Sequence, residues 1–164
     1  DSLAKLWLFL EVNGEYSVSS SVYFYKDSDS RGDGKIHALY PWDVEHSMAK
    51  EEYITEDVME NINNTGTYGL WPAVYQHQDM KEAVYKNWME TFRPALCKLL
   101  DESTGYHEDE LSYIETYGER YEVASKWNEL VWGEEHNIAD KGAFIKHYLE
   151  GRIPYLDESL KPAP

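Results

Sequence analysis

Gly34-Lys35-Ile36-His37-Ala38-Leu39-Tyr40-Pro41-Trp42-Asp43-Val44-Glu45-His46 reads as a short strand that ends in acids. Residues 36–40 are mostly apolar or aromatic, as a strand requires. Pro41 removes a backbone donor and stops the ladder. Asp43 and Glu45 lie two apart, so an extended backbone aims both carboxylates the same way. Two oxygen ligands leaving a strand suit a hard cation, most simply Mg2+ carrying a phosphorylated ligand. The same two residues also read as ordinary surface acids of a very acidic chain, and the pattern leaves both readings open.

Working outward, Asp27-Ser28-Asp29-Ser30-Arg31-Gly32-Asp33-Gly34 is a turn segment, and Val22-Tyr23-Phe24-Tyr25 before it is rich in strand formers. A β-hairpin is predicted over residues 21–40. Arg31-Gly32-Asp33 matches an adhesion tripeptide, but in a run already selected for turn residues it reads as coincidence. Asp27 and Asp29 resemble the start of a calcium loop, yet the fifth and twelfth positions are Arg31 and Ala38 where acids are needed. Further upstream, Leu3, Leu6, Trp7 and Leu10 form a helical stripe over 2–12, with Gly14 as its stop.

Downstream, a short helix over 56–61 capped by Thr55 is expected, then an aromatic-rich loop over 65–78 in which Trp71 and Tyr75 pack inward. Asn63-Asn64-Thr65 has the form of a glycosylation acceptor. Asp79 and Glu82 suggest a capping box for a helix carrying Val84, Trp88 and Phe92. Pro94 should kink or break that helix near 91–93, and Leu96, Leu99 and Leu100 continue its stripe. A long helix over 108–132 should bury Leu111, Ile114, Tyr121, Ala124 and Trp127 and end at Gly133. Asp140 caps a last helix that stops near Pro154, and the tail from Lys161 frays. The expected architecture is one domain over 1–164, α+β and predominantly helical, with one hairpin packed against several long helices.

Composition excludes several classes. The formal charge is −16, which disfavours nucleic acid and anionic membranes, since both require a basic surface. No apolar run has transmembrane length, so no membrane insertion is expected. The single cysteine, Cys97, lies among leucines and reads as a buried inert thiol. The six histidines are scattered, without zinc-ligand spacing. Six tryptophans and fourteen tyrosines leave a carbohydrate-binding module as a minor reading, because most of them fall on helical core stripes.

Three blocks resemble the CotH kinase-like family, which is named for a bacterial spore coat protein. They are Leu10-Glu11-Val12-Asn13-Gly14 with Ser21-Val22-Tyr23-Phe24-Tyr25-Lys26-Asp27; Gly34-Lys35-Ile36 with Tyr40-Pro41-Trp42-Asp43-Val44-Glu45; and a helical tail. The tail carries Lys81-Glu82-Ala83-Val84, Trp88, Arg93-Pro94, Lys126-Trp127 and Gly151-Arg152-Ile153-Pro154-Tyr155-Leu156-Asp157. The resemblance implies an atypical protein kinase fold, of which this chain is the carboxy-terminal lobe. By position, Asp43 corresponds to the Asp that holds Mg2+ on the phosphates of ATP, with Glu45 as a further ligand.

The chain departs from that pattern in three places. Glu45 stands where the family has Asp, and Met48-Ala49 where it has Phe-Gly. The loop Gly14–Ser20 lacks the family's candidate base, for which Glu15 is the possible substitute. No Gly-rich loop or strand lysine precedes Asp1, so the amino-terminal lobe is expected as a separate partner, and an opening Asp reads as a cut or processed segment. The resemblance also implies a protein substrate or assembly partner and a secreted, cell-surface or spore-coat location. The alternative is a non-catalytic pseudokinase or structural module of such an assembly.

Overall fold

The computed structural model describes residues 1–15, 21–44, 46–62, 69–101, 112–133 and 138–162. Helix α1 (Ser2–Asn13) is the centre of the molecule. Its stripe predicts one apolar face, yet Leu8, Glu11 and Val12 are buried as well. A helix buried nearly all round needs neighbours on every side, and α1 touches the hairpin, α2 and α4, whose ranges follow. Gly14 ends α1 at φ 63, in the left-handed region. A Cβ there would stand 2.9 Å from Tyr53 and from the Tyr148 hydroxyl, so backbone and space both demand glycine.

The hairpin forms where the turn residues place it. Strands β1 (Phe24–Tyr25) and β2 (His37–Ala38) pair antiparallel, Phe24 opposite Ala38 and Tyr25 opposite His37. They are shorter than the predicted 21–40, with one further rung from the Leu39 amide to the Tyr23 carbonyl. Val22 and Ala38 lean on the core, and the Phe24 ring lies 6.2 Å from that of Trp71. In the turn, the Asp33 carboxylate accepts from the Lys35 amide at 2.9 Å and stands 3.1 Å from His37 Nε2.

A 3-10 turn (Glu51–Thr55) leads to the short helix α2 (Val58–Asn61). Thr55 does not cap α2: Glu56 is extended (φ −118, ψ 140), and the helix begins after Asp57. The expected loop over 65–78 is in part a helix, α3 (Leu70–Tyr75). Pro72 falls in its first turn, where a missing N–H costs nothing. Trp71 and Tyr75 bury one face of α3, with Tyr75 stacked on Trp7 at 4.1 Å, as the inward-packing expectation had it. Residues 63–68, including the glycosylation-type triplet, lie outside the described residues.

Helix α4 (Gln78–Asn87) starts one residue before the predicted box. Its N-cap is His77, Asp79 accepts from the next amide along, and Glu82 accepts from the Gln78 side chain. Pro94 does not break the helix. A π turn (Trp88–Phe92) widens the helix ahead of α5 (Arg93–Leu100), so that Pro94 lies in a first turn. Cys97 is half-buried, with its sulfur 3.9 Å from an Arg93 nitrogen.

Helix α6 (Tyr113–Trp132) starts at a capping box of Ser112 and Glu115 and ends at Gly133 with φ 69. Leu111 lies outside the described residues. Ile114 is half-buried, but Tyr121, Ala124 and Trp127 are exposed, contrary to expectation. Beyond Thr116 no described residue of α6 is buried. Helix α7 (Ile138–Ser159) holds Asp140 in its first turn and runs through Pro154 instead of stopping there. The carbonyl freed by Pro154 belongs to Glu150, which is exposed and can be hydrated. Burial of Ile153, Leu156 and Leu160 against α1 and its neighbours holds the last turns. The result is a predominantly helical α+β fold with one small antiparallel hairpin.

Candidate functional site

The segment after β2 is strapped along α1. At its start the Ala38 amide donates to Ser2 Oγ (3.1 Å), at the first turn of α1. At its end the Met48 amide donates to the Asn13 carbonyl (2.6 Å), at the last turn. Between these pins stand Tyr40, Trp42 and Asp43, all exposed. Two non-glycine residues of the strap have positive φ, Asp43 at 53 and Met48 at 50. An L residue in that region costs about 1–2 kcal/mol, less for Asp, so the strap holds a conformation that its own backbone does not prefer. The Ser47 amide to the Val44 carbonyl (3.2 Å) closes the turn that reaches Met48.

Asp43 thus sits midway along a strap held at both ends, with its side chain in solvent. The Pro41-Trp42 pair that suggested a strand exit in the sequence does end the hairpin here. Glu45, the second expected ligand, lies outside the described residues. Among the described residues, no group of three or more His, Cys, Asp or Glu side chains is placed to hold a metal ion. An exposed single carboxylate fits Mg2+ that keeps its waters and takes its other ligands from phosphates; it does not fit an all-protein cage.

Glu15, the possible substitute base, is 1% exposed. Its amide donates to the Leu10 carbonyl (3.0 Å), and the Ser47 hydroxyl reaches its Oε2 at 3.5 Å. The structure therefore brings Glu15 to the strap, four residues beyond Asp43, as an inward-facing anchor.

Elsewhere on α1 stands a buried ion pair to which the sequence assigned no role. Arg152 is fully buried and donates from Nη2 to Glu11 Oε1 and to the Glu11 carbonyl, both at 2.5 Å. Its Nη1 donates to the carbonyls of Glu56 (2.7 Å) and Ile54 (3.4 Å). Glu11 also accepts from the amides of Met59 (2.7 Å) and Val58 (3.2 Å), so it supplies the acceptors that the start of α2 needs. Burial pushes the Glu11 carboxyl up to about 7, against the lowering pull of Arg152. The signal was available: Glu11 is the lone acid of a mostly apolar α1, and Arg152 is the lone arginine of α7, followed directly by Ile153.

A second clamp ties the π turn to α7. Asp157 accepts from Trp88 Nε1 (2.9 Å) and from Arg93 Nε (2.7 and 3.0 Å). Burial raises the Asp157 carboxyl, but the bonds from Arg93 and Trp88 outweigh that and leave it below its ordinary value.

No protein family, curated protein or solved structure matches the chain. No helix among the described residues is long and apolar enough to cross a membrane.

Proposed function

We propose that this chain is the carboxy-terminal lobe of a CotH-type atypical kinase, a phosphotransferase that uses Mg-ATP to phosphorylate protein hydroxyls. The observation that carries the reading is the solvent-facing Asp43, held at φ 53 on a strap pinned to both ends of α1. Mg2+ bound by Asp43, with Glu45 as the further ligand, would neutralise phosphate charge, the main need in phosphoryl transfer. The strap's role is to hold the Asp43 carboxylate still, so that little is lost in ordering it when the nucleotide arrives. Glu15 acts on this reading through Ser47, keeping the strap on α1.

The exposed rings of Tyr40 and Trp42 precede Asp43 on the strap, and this is the surface the amino-terminal lobe covers in the proposed whole protein. Activity requires that lobe, so the chain alone is expected to be inactive. The family resemblance supports a secreted, cell-surface or spore-coat setting for that protein.

The test is Mg·ATP-dependent thermal stabilisation of the full-length parent against its Asp43→Ala variant. A nucleotide at 100 times its Kd stabilises the native state by about 2.7 kcal/mol. A rise in Tm that needs Mg2+ and disappears in the variant supports the kinase reading. No rise in either folded protein overturns it. The second reading, a non-catalytic module of a coat or secreted assembly, is favoured by the large apolar side chains left in solvent on the hairpin and on α6. It predicts partner binding that is indifferent to nucleotide.

A further inference from the structure

The far half of α6 presents an apolar face with a specific order. Tyr117, Tyr121, Ala124, Trp127 and Val131 are spaced four, three, three and four residues apart. That spacing keeps all five within a stripe of roughly 120°, which Arg120 and Asn128 share. It also reads the same in both directions about Ala124. Glu115, Glu119, Glu122, Lys126 and Glu129 all fall on the opposite face, where Lys126 pairs with Glu122 at 2.6 Å. Trp127 is 65% exposed, and Trp132, at the edge of the stripe, is 72% exposed.

We propose that α6 pairs antiparallel with α6 of a second copy of this chain, on a two-fold axis through Ala124. A two-fold contact puts the same patch on both partners, so the patch must match itself when reversed. About Ala124 it does: Tyr117 of one copy meets Val131 of the other, and Tyr121 meets Trp127. Arg120 and Asn128 exchange places in the same way, so no like charges face each other across the stripe. The alanine at the crossing lets the two backbones approach, while the larger side chains on either side interlock.

The area fits a weak pairing of this kind. The exposed side chains of the stripe, three of them aromatic, offer on the order of 500 Å2 per copy, below the roughly 800 Å2 per partner of a standard stable interface and in the range of a weak, concentration-dependent dimer. The pairing requires neither the kinase reading nor the strap, so the two stand or fall separately.

The experiment uses the 164-residue chain and its variants in analytical ultracentrifugation from 1 to 100 µM, with circular dichroism as the check on folding. The expected result is a monomer–dimer equilibrium, weakened at least tenfold in Trp127→Glu, as for loss of an aromatic anchor. In a Cys97→Ser background, Ala124→Cys should oxidise to a covalent dimer and Glu122→Cys should not, because a disulfide needs Cα atoms within about 7 Å. A folded chain that stays monomeric at 100 µM overturns the proposal. So does a dimer insensitive to Trp127→Glu, or one that cross-links equally well through position 122.

Discussion

Glu11 and Arg152, 141 positions apart in the chain, meet at 2.5 Å with side chains 1% and 0% exposed. Each satisfies backbone groups as well as the other: Glu11 takes the first amides of α2, and Arg152 takes the carbonyls that close the 3-10 turn. The pair thus joins α1, α7 and the connection between them at one point. The strap that carries Asp43 lies on the same α1.

Removing the arginine should be the more damaging change. Arg152→Met leaves a buried carboxylate and two orphaned carbonyls, at a cost of about 3–5 kcal/mol. Glu11→Gln keeps the shape and part of the hydrogen bonding, and should cost about 1–3 kcal/mol. Urea denaturation of the two variants checks the order.

The pH dependence follows from the raised Glu11 carboxyl. Its folded value, about 7, lies above the ordinary 4.5, so between these values the folded state holds a proton that the unfolded state has released. Stability from this group is therefore present below about pH 4.5 and is lost as pH rises to about 7. His147, raised by its bond to Glu51, adds a loss of the same sign above 6.5. Asp157, lowered overall, contributes with the opposite sign, and its contribution is lost only as pH falls below 3.8. Denaturation midpoints of Glu11→Gln between pH 4.5 and 6.5 should show a flatter decline than those of the unaltered chain.

Gly14→Ala tests the α1 terminus. The left-handed backbone alone costs about 1–2 kcal/mol, and the crowding by Tyr53 and Tyr148 adds to it. The loss should appear as a lower Tm, and it should exceed that of Gly118→Ala, where an added Cβ meets nothing within 4 Å.

The strap makes its own prediction. Asp43→Val places a β-branched residue at φ 53 and should lose about 1–2 kcal/mol, whereas Asp43→Gly should fold at least as stably as the unaltered chain. On the proposed kinase reading, Asp43→Val and Asp43→Gly should both abolish the Mg·ATP-dependent rise in Tm of the whole protein.

Local signals in the chain determined much of the fold. The α1 stripe and Gly14, the turn residues before Gly34, the proline after Tyr40, and Gly133 all act within a few residues of themselves, and each element stands where those signals put it. Of the candidate site, Asp43 and its exposure at the hairpin exit were legible in the same way. The strap was not, because its pins join Ala38 to Ser2 and Met48 to Asn13 across the fold. Tertiary structure alone decided that α7 continues through Pro154, since burial of Ile153 and Leu156 outweighs one missing hydrogen bond. It also decided that the aromatic stripe of α6 faces solvent while α1 is buried on nearly every side. Periodicity tells which residues share a face of a helix. What covers that face depends on contacts between distant parts of the chain, and those are set by the packing of the whole.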